Sequence, residues 1–257
     1  CIRDRSYYDQ VLFAVGEKYL EQTPTRKPCE FQAVFCIDER ECSLRRHLEK
    51  CAPESNTFGA PGFFGVEFYF QAENGHFLEK LCPAPVTPKY LIKESNNSTK
   101  RTHSYLYNKI AHTLIGGYIF NLTAGIASIF ELISNLLSPK MTPAISNAFL
   151  HVGERSNLTI EHKGEIDEKN NLQVGFTIAE MTDRVKGQLL NMGLIENFGS
   201  IIYMVAHGSS SANNPHHGAH DCGACSGRPG SVNARVFSYM ANHPAVRLSL
   251  KQFNIHI

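Results

Sequence analysis

The chain has 257 residues, enough for one large α/β domain or two small ones. Its net charge of +1 gives no electrostatic case for a nucleic-acid partner. The 8 cysteines are too few for a disulfide scaffold at this length, and without a secretory leader they favour a reducing cytosol. Since the sequence starts at Cys1 rather than at a methionine, we expect a fragment of a longer protein.

The first part of the chain predicts a helix, a buried strand and a second helix. Residues 7–21 carry apolar side chains at helical spacing, which indicates an amphipathic helix. The apolar run 31–35 predicts a buried strand. Residues 41–50 predict a helix whose apolar face carries Leu44, Leu48 and Cys51 at i, i+4 and i+7.

Two segments in the middle of the chain differ in polarity. Residues 93–104 are polar, so we expect a mobile loop near them. Residues 110–130 contain no charged side chain and are long enough for a membrane span. Their polar side chains and the Gly116-Gly117 pair argue against that assignment. We therefore expect an apolar helical insertion near residues 105–138.

The last part of the chain repeats the strand and helix pattern. Thr177 and Glu180 form a capping box that starts a helix, and Gly193 ends it. The apolar run 201–206 then predicts a strand that ends at His207. Apolar strands separated by helices predict an α/β fold with a mostly parallel sheet flanked by helices, and we expect a single domain over residues 1–257.

Residue types that bind transition metals follow both predicted strands. Cys36 and Asp38 come after the first strand, and Cys222 lies in a loop beyond His207. Thiolate, imidazole and carboxylate ligands favour zinc over magnesium or calcium, and the carboxyl ends of strands are where open α/β sheets place ligands. Arg40 is close enough in sequence to reach the Asp38 carboxylate.

Each of these features also has an ordinary structural explanation. A cysteine on a strand is often a small buried hydrophobic residue, and a histidine after a strand is often structural. The Cys222–Cys225 spacing fits a redox pair as well as a metal site. The joint pattern favours a zinc site, but spacing alone leaves these alternatives open.

A series of longer motifs covers residues 30–237 in order. The motifs are Cys36-Ile37-Asp38-Glu39-Arg40, Arg45-Arg46-His47-Leu48-Glu49, Gly59-Ala60-Pro61-Gly62-Phe63-Phe64-Gly65, Cys82-Pro83, Gly175-Phe176-Thr177, His207-Gly208, Asn213-Asn214-Pro215, Asp221-Cys222-Gly223-Ala224-Cys225 and Asn233-Ala234-Arg235. The series resembles the DabA family of inorganic-carbon accumulation proteins, whose core is similar to that of the β-carbonic anhydrases.

The resemblance implies a specific set of zinc ligands. It assigns Cys36, Asp38, His207 and Cys222 to the Zn²⁺ ion and makes Arg40 the partner of Asp38. Asp38 and Arg40 are the expected catalytic residues, and the role of Cys225 stays open. Two features depart from the expected pattern: a long loop separates His207 from Cys222, unlike in the carbonic anhydrases, and Glu39 replaces a small or apolar residue.

The resemblance also implies a function. It indicates a carbonic-anhydrase-like subunit that hydrates CO2 to bicarbonate in an energy-coupled uptake complex, peripheral on the cytoplasmic face of the inner membrane. Its expected partner is an integral-membrane, proton-channel-like subunit of the DabB type, without which we expect little activity. Four protein ligands would close the site, so we expect Arg40 to open it by drawing Asp38 away. The alternatives are a structural zinc module and a CxxC redox or interaction domain.

Overall fold

The computed structural model describes residues 2–21, 29–73, 75, 77–95, 113–119, 122, 129, 130, 133, 136, 156–208 and 221–257. Its helices are α1 (Ile2–Glu21), α2 (Glu39–Cys51), α3 (Ile178–Met192), α4 (Ser231–Asn242) and α5 (Pro244–Lys251). Its strands are β1 (Phe31–Cys36), β2 (Ser55–Ala60), β3 (Phe68–Gln71), β4 (Glu79–Leu81), β5 (Tyr90–Ser95), β6 (Asn157–Leu158), β7 (Ile166–Asp167), β8 (Leu172–Val174) and β9 (Ile202–Met204).

A parallel sheet of three strands positions the candidate site. Its order is β2-β1-β9, and β1 pairs in parallel with both neighbours. Parallel neighbours need a crossover connection, which α2 supplies between β1 and β2. The predicted parallel sheet flanked by helices is confirmed here, together with the predicted strands near residues 31–35 and 201–206.

The second sheet was not predicted. Its order is β4-β3-β5-β8-β7, with β6 paired to β5. The β3–β5 and β5–β8 pairs are parallel, whereas β4, β6 and β7 pair antiparallel. A tight turn joins β7 to β8, with Asn171 in the left-handed region at φ 53°. The expected mostly parallel sheet therefore describes the first sheet only.

The hydrophobic core lies between the sheets and the C-terminal helices. Phe64, Phe68, Phe70 and Phe176 are fully buried in it. Burying each such side chain contributes about 1.5–3 kcal/mol. The aromatic segment that follows β2 thus supplies part of the hydrophobic core.

The inward face of α2 differs from the prediction. Leu44 is 53% exposed, whereas Glu41 is buried. The reason is local: the Glu41 carboxylate turns back to the end of β1, and Arg45 donates hydrogen bonds to Thr57 on β2. Polar contacts to neighbouring strands therefore set the rotation of this helix.

The other predicted elements have mixed outcomes. The capping box of Thr177 and Glu180 is confirmed, and Gly193 ends α3 in the left-handed conformation. Lys93 belongs to β5, so the mobile loop predicted near residues 93–104 does not begin there, and residues 96–104 lie outside the described residues. Residues 114–119 are helical, but most of the insertion predicted near residues 105–138 is also outside the described residues.

No helix in the described part of the chain has the length and apolar content needed to cross a membrane.

Candidate metal centre

The two strands of the parallel sheet bring Cys36 and His207 together. Cys36 is the last residue of β1, and His207 follows the end of β9. Because β1 and β9 are parallel neighbours, their carboxyl ends meet at one edge of the sheet. Cys222 reaches the same edge from a loop that an isolated bridge to Arg228 closes. The structure thus brings together three of the four residues predicted as zinc ligands.

The donor atoms of these three residues form a compact cluster. The sulfurs of Cys36 and Cys222 are 4.0 Å apart, and one donor atom from each of Cys36, His207 and Cys222 lies within 4.8 Å of the others. Two thiolates at about 2.3 Å from a tetrahedral zinc ion would be about 3.8 Å apart, so the spacing suits zinc. In the described part of the chain, this is the one group of His, Cys, Asp and Glu side chains with such geometry.

Two further observations fit a metal ion. The Nε2 atom of His207 is buried and has no hydrogen-bond partner among the described residues. Buried polar atoms rarely lack a partner, and coordination of a cation would satisfy this one. The space beside the sulfurs also depends on Gly62, because a Cβ atom there would lie 2.5 Å from Sγ of Cys222 and 3.0 Å from Sγ of Cys36.

The surroundings raise the pKa of both thiols. The pKa of Cys36 is raised far above its usual value by its hydrogen bond with Cys222 and by burial. The pKa of Cys222 is raised to about 12, first by its contact with the Cys225 thiol and then by burial. Both thiols are therefore protonated without a metal, and a divalent cation would displace the protons.

Asp38 faces Arg40 instead of the thiols. Its Oδ1 accepts hydrogen bonds from Nε of Arg40 at 2.7 Å and from the Arg40 backbone N–H at 3.0 Å, and its Oδ2 accepts one from Nη2 at 2.9 Å. These hydrogen bonds lower the pKa of Asp38 to about 2. Asp38 also caps the N-terminus of α2. Asp38 and Arg40 are thus paired with each other. Their catalytic role and ligation by Asp38 remain part of the proposal below.

Two neighbouring residues were not predicted as part of the site. Glu41 is buried, and its Oε2 accepts a hydrogen bond from the backbone N–H of Cys36 at 2.6 Å. Burial raises the pKa of this carboxyl to about 7. Since Glu41 stands in the polar part of a helix sequence, nothing in the sequence marks it as buried.

Asn233 is the second such residue. It is completely buried inside α4, whose N-cap is Gly230. Its Nδ2 donates hydrogen bonds to the carbonyls of Val66 and Leu81, both at 2.9 Å. Its Oδ1 lies 3.7 Å from the Cys225 sulfur, which donates to it. Cys225 therefore packs beside Cys36 and Cys222 while its thiol points to Asn233.

Fold and site together define an α/β protein with a Cys2His cluster that could hold a metal ion at the carboxyl end of a parallel sheet. A family model described as "Probable inorganic carbon transporter subunit DabA" matches residues 3–257. The chain belongs to the DabA family. No solved structure matches it.

Curated relatives carry the same description. A DabA subunit of Nitrosospira multiformis is 48% identical over 98% of this chain and 28% of the relative. One from Azotobacter vinelandii is 44% identical over 98% of this chain and 30% of the relative, and a "DabA 2" from Rhodopirellula baltica is 33% identical over 99% and 25%. The chain therefore spans less than a third of the length of these relatives.

Proposed function

We propose that this chain forms the zinc centre of a carbonic-anhydrase-like subunit that hydrates CO2 to bicarbonate in an inorganic-carbon uptake complex. One observation carries the proposal. The donor atoms of Cys36, His207 and Cys222 converge at a strand edge, and the histidine nitrogen has no partner among the described residues. The family name, an inorganic carbon transporter subunit, supplies the substrate class.

The ligand number supports a catalytic role. Three protein ligands with a fourth position open are typical of catalytic zinc sites, whereas structural sites are closed by four. When bound, zinc would supply the Lewis-acid activation of water at neutral pH that CO2 hydration requires. The half-buried Phe63 packs against the cysteine cluster and offers a nonpolar contact to CO2. A core similar to that of the β-carbonic anhydrases is part of this proposal.

Asp38 and Arg40 would act as the gate. While Arg40 holds both oxygens of Asp38, the carboxylate is kept from the metal and the fourth position is open. If the ion pair breaks, Asp38 is free to become a fourth ligand and to close the site. Because exposed ion pairs are weak, contributing about 0–1 kcal/mol, a modest movement of a partner protein is enough to switch the gate.

The gate also gives a reason for a partner. Hydration must be coupled to an energy source if bicarbonate is to accumulate, and the word subunit in the family name implies an assembly. We propose that a proton-channel-like membrane subunit of the DabB type supplies this coupling and that the chain lies on the cytoplasmic face of the inner membrane. In this scheme the partner controls the Arg40–Asp38 ion pair, so energy-coupled uptake requires both subunits.

The test combines metal content with uptake in cells. The full-length chain is expressed with its membrane partner as wild type, Cys36→Ser, Cys222→Ser and, as a matched control, Cys51→Ser, which alters an exposed cysteine. We expect one zinc ion per wild-type chain, loss of zinc and of uptake in the first two variants, and neither loss in the control. Wild-type protein without zinc would contradict the proposal. Zinc-free Cys36→Ser protein with normal uptake would leave only a structural metal site or a redox role.

A further inference from the structure

A cavity lies next to the metal centre, near the end of β9. It has a volume of about 580 Å³ and is open to solvent between α4, the end of β9 and the segment around β6. One wall is apolar and includes Ile160, Met204 and Ala206. The opposite wall is the polar face of α4. No step proposed for the metal centre uses this cavity.

The polar wall carries hydrogen-bond donors in helical register. Ser231, Arg235 and Ser238 are spaced i, i+4 and i+7, so they share one face of α4, and all three line the cavity. Asn157 and Tyr239 also line the cavity, but the Tyr239 hydroxyl donates to the Glu161 carboxylate at 2.8 Å and so offers no free donor. The wall therefore combines one permanent positive charge with several neutral donors.

Arg235 is the charged group of this wall. It is half-buried, and it donates from Nη1 to Oγ of Ser156 at 3.0 Å and from Nη2 to the Ser156 carbonyl at 2.6 Å. Both acceptors are neutral, and within the described part of the chain no carboxylate lies within ion-pair distance of it. Arg40 and Arg184, by contrast, pair with Asp38 and Glu67. A partly desolvated cation without a counter-charge favours binding of an anion.

We propose that this cavity is a second ligand site, which binds a small oxyanion of the carboxylate type. A guanidinium matches the planar geometry of a carboxylate or bicarbonate, and the serine hydroxyls can donate to its remaining oxygens. The choice of bicarbonate as the first ligand to test rests on the proposed function. The site itself rests only on the cavity and on Arg235.

The cavity is linked to the metal centre through the backbone. Ala206 precedes His207, and the N–H of Gly230, one residue before Ser231, donates to the His207 carbonyl at 3.0 Å. A Cβ atom on Gly230 would lie 3.6 Å from the Cys225 sulfur. An anion in the cavity therefore sits one residue away from a proposed zinc ligand, where it can bias the position of His207.

The experiment is calorimetric titration of the full-length chain with bicarbonate, acetate and phosphate against chloride at constant ionic strength. The variants are wild type, Arg235→Gln, and Arg247→Gln as a matched control. Arg247 also donates to neutral acceptors, the Ala241 carbonyl and Asn242 Oδ1, but lies on α5 away from the cavity. We expect bicarbonate to bind to wild type and to the control, and about tenfold more weakly to Arg235→Gln.

A second variant tests the cavity without changing the charge. Ser238→Leu places a larger apolar side chain in the cavity, and we expect it to weaken bicarbonate binding as well. Unchanged affinity in both Arg235→Gln and Ser238→Leu would overturn the inference, as would wild-type protein that binds neither bicarbonate nor acetate. Affinity for phosphate or chloride equal to the affinity for bicarbonate would overturn the carboxylate class. Tighter binding of acetate than of bicarbonate would support that class with an organic carboxylate as ligand.

The two proposals fail in different ways. The titration is repeated after zinc is removed by a chelator, with circular dichroism to confirm that the chain stays folded. Binding of bicarbonate that survives chelation and is lost in Arg235→Gln supports the second site even if no hydration is found. Binding lost on chelation and unaffected by Arg235→Gln places the anion at the metal centre and overturns the second site.

Discussion

A Cβ atom on Gly62 would lie 2.5 Å from Sγ of Cys222, closer than real Cβ atoms approach other heavy atoms in proteins. The backbone of the loop between β2 and β3 thus packs directly against the two sulfurs, with no room for a side chain at this position. Gly62 is not one of the glycines with a positive φ, so its backbone conformation does not require glycine. The requirement for glycine here is steric.

We therefore predict that Gly62→Ala displaces Cys222 and reduces zinc content severalfold or more, because the added methyl group occupies the space beside both thiols. The measurement is zinc per chain in purified full-length protein. Gly223→Ala is the matched control, since a Cβ at Gly223 in the same cysteine loop meets nothing within 4 Å. Equal zinc content in Gly62→Ala and wild type would contradict the assignment of this cluster as the metal site.

The sequence was sufficient to predict two strands of the parallel sheet, β1 and β9, because their signals are local, whereas β2 was not predicted. Each signal occupies a few neighbouring residues: apolar runs precede Cys36 and His207, and a capping box begins at Thr177. The second sheet contains strands of two or three residues, such as Asn157–Leu158, which are too short to produce a periodic pattern. Its mixed pairing depends on contacts between distant segments, which no local pattern encodes.

The site was predicted in the same partial way. The residue types of Cys36, His207 and Cys222 indicated candidate metal ligands. The resemblance to the DabA family then assigned them to one zinc site. The buried positions of Glu41 and Asn233 could not be anticipated, since both are polar residues in helices. Asn233 is buried because the carbonyls of two segments more than a hundred residues away need its donors.

The raised thiol pKa values predict a steep pH dependence of zinc affinity. Cys36 and Cys222 both keep their protons across neutral pH, Cys222 with a pKa of about 12. Each must lose its proton to bind zinc, so affinity should rise with pH by up to about a hundredfold per unit between pH 6.5 and 8. Asp38, with a pKa of about 2, is already ionised in this range and adds nothing to the slope.

Competition with a chromogenic chelator at several pH values measures this slope in the full-length chain, with buffer-only titrations correcting for protonation of the chelator. The exposed Cys51 provides the control, because Cys51→Ser should leave the slope unchanged. Zinc affinity independent of pH would show that the thiols of Cys36 and Cys222 are not the ligands.

Asn233 is predicted to be a major source of local stability. Asn233→Ala leaves the buried carbonyls of Val66 and Leu81 without their donor and opens a small cavity, which should cost roughly 2–4 kcal/mol. Hydrogen exchange of the α4 amides in the full-length chain should accelerate by about a hundredfold. The control is Asn242→Ala at the exposed end of the same helix, where we expect a change of about 0.5 kcal/mol or less. Similar exchange rates in the two variants would contradict the assigned role of Asn233.

Arg40 provides the sharpest test of the gate. In Arg40→Ala the Asp38 carboxylate loses its two side-chain hydrogen bonds and is free to approach the metal. We expect zinc content to be retained or increased, because a fourth ligand is gained, while inorganic-carbon uptake by the complete complex falls at least tenfold. Uptake of labelled bicarbonate and CO2 by cells, together with zinc per purified chain, gives both quantities.

Two further variants distinguish loss of the Arg40–Asp38 gate from a general effect of removing a positive charge. Arg46→Ala removes an exposed arginine from the same helix and should leave uptake unchanged. Among the described residues, its guanidinium donates to the Cys42 carbonyl alone. Combining Arg40→Ala with Asp38→Asn removes the anionic ligand that Arg40 restrains, so the fourth position should stay open and part of the uptake should return. A purely structural zinc site predicts the opposite result for Arg40→Ala, because such a site does not depend on the hydrogen bonds between Arg40 and Asp38. In that case Arg40→Ala would retain full uptake together with full zinc content.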